Sequence, residues 1–183
     1  HRRGGVVLDV ACGHGRHARW FYEHNHPVAL VDRSQAAIDS IAAAIPAQRM
    51  QAVVADIENG PWPFAGRRFD AVVVTNYLWR PLMPVLLDSL APGGVLIYET
   101  FTQGNETVGK PSRPDFLLRP GELLAICRSL RVVAFEDGFQ EGLQGQAPRF
   151  VQRIAAVREA VAPADLGSAV SPSASQPARY PLF

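Results

Sequence analysis

The sequence predicts an α/β protein built on a doubly wound, mostly parallel sheet of seven strands that ends in an antiparallel hairpin. Three observations carry that expectation. From Val6 to Tyr98, short apolar runs alternate with helix-like stretches. The runs are almost continuously hydrophobic rather than alternating, as parallel strands covered on both faces are. In the last third, two strand-like runs are separated only by a short glycine-containing loop, which forces them antiparallel.

Val6–Val10 is the first strand, entered from Gly4-Gly5. Arg16–His24 is a helix, and Val28–Val31 a second strand ending at Asp32. Ser34 caps a helix through Ile45, which Pro46 stops. Ala52–Ala55 is a third strand ending at Asp56, Ala71–Val74 a fourth and Val95–Tyr98 a fifth. Pro81–Leu90 fits a helix closed by Pro92-Gly93-Gly94. Pro120–Leu130 is a further helix, and Arg131–Glu136 and Phe150–Val157 are strands joined through Gly138, Gly142 and Gly145. Residues 159–183 form a tail; from Pro163 on it holds four Pro, four Ser and four Ala, too little apolar surface to fold.

Composition narrows the function. At 183 residues with 48% hydrophobic and 19% charged side chains, one domain with a proper core is expected. Eighteen basic residues against seventeen acidic ones leave a net charge of +1, so no nucleic-acid field is implied. Cys12 and Cys127 are too few for a disulfide framework or a zinc site, and suit a reducing, cytoplasmic setting. No apolar run approaches the roughly 18–20 residues that span a bilayer. His14, His17, His24 and His26 lack the carboxylate or thiolate that would complete a metal-ligand set.

The chemistry concentrates in Val7-Leu8-Asp9-Val10-Ala11-Cys12-Gly13-His14-Gly15-Arg16. Gly13 and Gly15 let a ligand approach the backbone, at the N-terminus of the next helix. Asp32 follows Gly13 by 19 residues, a spacing that suits a carboxylate on ribose hydroxyls. Gly13 to Ala18 also satisfies the G-x-G-x-x-A of dinucleotide enzymes, so this much leaves two readings. Asp9 separates them: a carboxylate there meets an ammonium well but repels a pyrophosphate, by about 1–4 kcal/mol at 4 Å. Asp56, ending the third strand, is placed to accept from an adenine amine. Each residue has a plainer alternative: a tight turn at the glycines, a helix cap at Asp32, a strand-end turn at Asp56. Phe69-Asp70 reads as structural, with Phe packing and Asp holding the turn into the fourth strand. Cys12 reads as a small buried hydrophobe, and Arg67-Arg68 as a solvated loop.

An ammonium, a ribose and an adenine together describe S-adenosylmethionine (SAM), and from about Val6 to Arg158 the chain resembles a class I SAM-dependent methyltransferase of the TehB-like, tellurite-resistance branch. The resemblance rests on Val7-Leu8-Asp9, Cys12-Gly13-His14-Gly15-Arg16, Asp32, Asp56, Phe69-Asp70, Pro92-Gly93-Gly94 and Phe116 to Glu122. It implies residues 1–158 as the methyltransferase domain, with sheet order 3-2-1-4-5-7-6 and the seventh strand antiparallel. It implies cofactor contacts at Asp9, Ala11, Gly13 and Gly15. It also implies Asp32 at the ribose, Arg33 as a further cofactor contact, Asp56 and Ile57 at the adenine, and Thr75 and Asn76 at the methionine end. Ala11 stands where the family has a glycine, so its backbone is expected to avoid positive φ. The family's helix before the first strand is expected to be absent or truncated.

In open α/β sheets ligands bind beyond the carboxyl ends of the strands at the switch point, here between strands one and four. The segments after strands four and five, Asn76–Arg80 and Glu99–Leu118, then face the acceptor. The second is long enough to act as a lid, with Gly104 and Gly109 as hinges. Small size and balanced charge favour a small-molecule acceptor. Glu99, His17 and Tyr77 are candidate bases for an acceptor that must lose a proton; a soft nucleophile needs none. A nicotinamide-dependent oxidoreductase and a non-catalytic SAM-binding module are the competing readings.

Overall fold

The computed structural model describes residues 4–142, 145 and 147–160. Strands β1 (Val7–Val10), β2 (Val28–Asp32), β3 (Met50–Val54), β4 (Phe69–Thr75), β5 (Leu90–Phe101), β6 (Arg131–Gln140) and β7 (Arg149–Val157) form one sheet. Helices α1 (Arg16–Glu23), α2 (Gln35–Ala42), α3 (Met83–Asp88) and α4 (Glu122–Ile126) connect them. The sheet order is β3-β2-β1-β4-β5-β7-β6. The pairs from β3 to β5 are parallel, and β7 is antiparallel to both β5 and β6. Fold class and strand order are those expected from the sequence.

Strand residues alternate between the two faces, which is why both faces need apolar side chains. Leu8, Val10, Val72 and Val74 join Leu86 of α3 and Leu123 of α4 in one core cluster. Val7, Leu30, Ala71 and Val73 join Ala18 and Phe21 of α1 and Ile38 and Ile41 of α2 in the other. Ser34 caps α2, its hydroxyl accepting from the Ala37 N–H at 3.2 Å. Phe69 is fully buried, and the Asp70 carboxylate accepts from Val6 N–H at 2.9 Å, tying the entry of β1 to β4. Arg67 lies exposed over the rings of Phe64 and Phe69.

Several elements differ from the expectation. The helix over 81–90 is a 3-10 turn at Arg80–Leu82 followed by α3, and Leu90 already pairs with Phe69 as the start of β5. Pro92-Gly93-Gly94 does not end a helix; it lies within an irregular start to β5. Gly93 N–H bonds to the Arg158 carbonyl at 2.6 Å, and Gly94 sits so close to the Ala91 and Phe69 carbonyls (2.8 Å from an added Cβ) that a side chain is excluded. α2 stops at Ala42, although Ile45 remains buried. β6 runs on through Gly138 to Gln140, longer than expected. The expected tail lies, beyond Ala160, outside the described residues.

Candidate functional site

The carboxyl ends of β1, β2 and β4 converge on the loop Ala11–Gly15. Three residues in it have positive φ: Ala11 (52°), Gly13 (51°) and Gly15 (73°). The expectation that Ala11 avoids this region is wrong. The loop needs a left-handed turn directly after β1, and an alanine adopts it at a cost of about 1–2 kcal/mol. The two glycines serve different ends. A Cβ on Gly13 would meet nothing within 4 Å, so the space above it is open. A Cβ on Gly15 would fall 2.5 Å from Ile41 Cγ1, so Gly15 lets α2 pack against the start of α1. Gly15 is buried and lines neither of the two cavities described next.

Two cavities meet at Ala11. One, of about 550 Å³, is lined by Cys12, Gly13, Arg16, His17, Thr75 and Asn76 among others. The second, of about 360 Å³, is lined by Asp32, Arg33, Asp56, Ile57, Glu58, Tyr77 and Phe116. Eight of the ten residues singled out in the sequence (Ala11, Gly13, Asp32, Arg33, Asp56, Ile57, Thr75 and Asn76) therefore flank these two spaces; Asp9 and Gly15 do not.

Asp32 binds the loop. Its Oδ2 accepts from Gly13 N–H at 2.8 Å and its Oδ1 from Ser34 N–H at 2.9 Å. Each oxygen keeps a free lone pair. Asp56 accepts at Oδ1 from the Glu58 and Asn59 N–H groups, and at Oδ2 from Asn59 Nδ2 at 2.9 Å. Those bonds, led by Asn59, hold its pKa below the ordinary value. Asp9 is different. It is 1% exposed beneath the loop, accepting from Ala18 N–H at 3.1 Å. Burial pushes its pKa up to about 7, helped by the Asp32 charge and opposed by the Ala18 hydrogen bond and Arg16.

Cys12 is half-buried rather than buried and lines the larger cavity. Burial and the Asp9 and Asp32 carboxylates push its thiol up to about 12, so it stays protonated and weakly nucleophilic at neutral pH. Of the three candidate bases, Glu99 is engaged in ion pairs with Arg149 (3.2 Å) and Arg153 (2.5 Å). Tyr77 has its hydroxyl buried without a hydrogen-bond partner, and burial and Glu58 raise its pKa, which disfavours the phenolate. His17 is half-buried in the cavity wall, with Nδ1 3.4 Å from the Thr75 hydroxyl. Burial, then Arg16, lowers its pKa against the pull of Glu99, which favours the neutral ring. Among the described residues, no group of three His, Cys, Asp or Glu is arranged to hold a metal.

The segment after β5 is tied rather than loose. Thr102 bridges to Leu118, and Gln152 Nε2 donates to Thr102 Oγ1 at 3.0 Å. Buried Asn105 donates to the Pro111 carbonyl at 2.9 Å and accepts from Phe150 N–H at 3.1 Å. Gly104, expected as a hinge, packs on the Phe150 ring (2.9 Å from an added Cβ). Arg80 pins the far end, bonding to Glu122 Oε1 (2.7 Å) and to the Asp115 and Leu117 carbonyls. Phe116 is thereby held at the second cavity. Sequence reasoning missed Glu58 as a lining residue; it placed Tyr77 and Phe116 in segments facing the acceptor, whereas both line the second cavity with Asp32 and Asp56.

Residues 7–94 match a family model described as a methyltransferase domain. No curated protein matches the chain by sequence. Solved structures match in fold. TehB from Haemophilus influenzae superposes with a TM-score of 0.70 at 17% identity over 85% of this chain, which spans 58% of that protein. A SAM-dependent methyltransferase from Methanosarcina mazei gives 0.68 at 15% identity, over 88% of this chain and 95% of that one. A TehB-like SAM-dependent methyltransferase from Corynebacterium glutamicum gives 0.59 at 19% identity, over 87% and 83%.

Proposed function

We propose that the chain is a SAM-dependent methyltransferase that transfers the methyl group of SAM to a small-molecule acceptor; the methyltransferase-domain match over residues 7–94 and the fold shared with SAM-dependent methyltransferases support the reading. The observation that carries the reading is the pair of cavities meeting at Ala11, with open space over Gly13 in the wall of the larger.

The residues present fit the cofactor. Asp32 keeps acceptor capacity on both oxygens, which suits two ribose hydroxyls, with Arg33 at the rim. Asp56 Oδ2, the Ile57 backbone and the buried Tyr77 hydroxyl offer polar partners for an adenine against the Phe116 ring. Thr75, Asn76 and the Ala11–Gly13 backbone serve the methionine end. Asp9 acts from beneath, bracing the loop through Ala18 N–H and lending negative potential to a bound ammonium. Gly15 acts by packing.

Bound SAM supplies a methyl on a sulfonium, so an acceptor lone pair forms the new bond to carbon as the C–S electrons return to sulfur. The protein's part is to align the acceptor and exclude water. Asn76, at φ 54°, is held by its N–H to the Glu99 carbonyl at 2.9 Å and fixes the chain where the acceptor must arrive. For an acceptor that must lose a proton, His17 is the base: its ring is neutral at pH 7 and faces the larger cavity. A soft nucleophile needs no base. We place the protein in the cytoplasm on its two free thiols; no helix among the described residues is long and apolar enough to cross a membrane.

Thermal melts with SAM, its demethylated product S-adenosylhomocysteine (SAH) and the nicotinamide dinucleotides test the binding. A true ligand at a hundredfold excess over Kd adds about 2.7 kcal/mol of stability. Stabilisation by a nicotinamide and not by SAM overturns the proposal. Release of SAH from SAM with an acceptor separates an enzyme from a binding module.

A further inference from the structure

We propose that a third cavity, beside the methyl end of the site, receives the negatively charged group of an organic acceptor; this rests on the methyl-transfer reading. The cavity, of about 360 Å³, is lined by Arg16, Asn76, Phe101, Asn105, Lys110 and Arg149 among others, with no Asp or Glu among the described residues of its wall. It shares Arg16 and Asn76 with the larger cavity, so a molecule seated here points its free end toward Thr75 and His17.

The charges are poised rather than spent. Lys110 makes no ion pair or hydrogen bond, and Arg16 no ion pair, among the described residues. Arg149 lies 3.2 Å from Glu99, which also pairs with Arg153, itself paired with Glu136 at 2.8 Å; that network balances, and the uncompensated charges are those of Lys110 and Arg16. The wall therefore carries surplus positive charge. It is also placed with care: Asn105 bonds to the Pro111 carbonyl and to Phe150 N–H, fixing the segment that bears Lys110 against β7. Half-buried Phe101 supplies an apolar wall. A carboxylate or phosphate on an apolar, preferably aromatic, body satisfies both features. The volume lies at the lower end of the roughly 300–1,000 Å³ typical of small-molecule sites, so it suits an organic anion better than a bare inorganic oxyanion.

The test is calorimetry on the full chain saturated with SAH, using benzoate, phenyl phosphate, benzamide and inorganic sulfate as probes. At least one organic anion is expected to bind about tenfold more tightly than neutral benzamide and than sulfate, and to weaken as NaCl rises from about 0.05 to 0.5 M. Lys110→Gln, a surface change that leaves the melting temperature unaltered, is expected to weaken that anion about fivefold, as removal of one charge near 4 Å in water implies. Equal binding of benzamide, equal binding of sulfate, no binding of either organic anion, or a preference untouched by Lys110→Gln each overturns the proposal. Failure of SAH itself to stabilise the wild-type chain is a separate result, and sinks the methyl-transfer reading instead.

Discussion

At Asp32 a single carboxylate holds Gly13 and Ser34 in position and still has a lone pair on each oxygen for a ligand. Asp32→Ala is therefore expected to cost binding and order together. Hydrogen bonds to a charged group are worth about 1.5–3 kcal/mol, so SAM affinity should fall at least tenfold by calorimetry; an unchanged Kd refutes the ribose role. The loop glycines part company in the same way. Gly15→Ala drives a methyl 2.5 Å from Ile41 Cγ1 at φ 73°. Overpacking and left-handed strain together are expected to cost about 2–4 kcal/mol in urea unfolding. The double variant with Ile41→Ala should lose less than the sum of the single losses. Gly13→Ala meets no neighbour and carries only the strain, about 1–2 kcal/mol, yet should weaken SAM more than Gly15→Ala does. If the order of those two effects on binding reverses, the open space over Gly13 is not the ligand's.

Among the elements, the segment from the end of β5 to α4 is held by Arg80, far away in sequence, through Glu122 at the start of α4. Glu122 is 8% exposed, takes Arg80 at 2.7 Å and accepts from Arg119 N–H at 2.8 Å. Burial alone would raise its pKa, but the Arg80 hydrogen bond and the Arg119 N–H outweigh it and hold the carboxyl below its ordinary value. A depressed folded pKa means the contribution is present above the unfolded value, near 4.3, and is lost as pH falls through the folded one. Glu122→Ala is expected to cost about 2–3 kcal/mol by removing one half of a mostly buried pair, and to free Phe116 from the second cavity. Glu122→Gln should recover part of the loss, and a melting temperature unchanged in both variants would remove Glu122 from this role. That contact was not legible in the sequence, because Arg80 and Glu122 stand 42 residues apart and no local pattern joins them. The strands were legible because parallel strands covered on both faces must be continuously apolar. β5 was read too short, since Pro92-Gly93-Gly94 carries turn chemistry and only pairing with Phe69 and Arg158 keeps it in the sheet. Asp32 and Asp56 were legible as polar residues closing apolar runs. Asp9 was legible as a residue but not in its burial, which comes from α1 folding over it.

For the molecule as a whole, that burial couples folding, pH and ligand. With its pKa raised to about 7, Asp9 keeps its proton in the folded state to a higher pH than in the unfolded chain, where it titrates near 3.9. Between those values the folded state binds more protons at this group, so the Asp9 contribution to stability is full below about pH 4, declines as pH rises, and levels off above about pH 7. At 1.36 kcal/mol per pKa unit the decline is on the order of 4 kcal/mol. Burial sets this shift; the groups acting beside it are the Ala18 N–H and Arg16, which lower the pKa, and Asp32, which raises it. Melts of the ligand-free chain at pH 5 and pH 8 are expected to show the drop. Asp9→Asn keeps an acceptor for Ala18 N–H and should flatten the profile while raising the melting temperature at pH 8. A bound ammonium favours the ionised carboxylate, so SAM affinity should rise with pH through about 7 in the wild type and not in Asp9→Asn. In that case the acid is retained at the expense of the empty fold because its charge is wanted when the cofactor is in place. A wild-type melting temperature equal at the two pH values, or a SAM affinity that follows pH identically in both proteins, would show that Asp9 stays charged throughout and serves the loop alone.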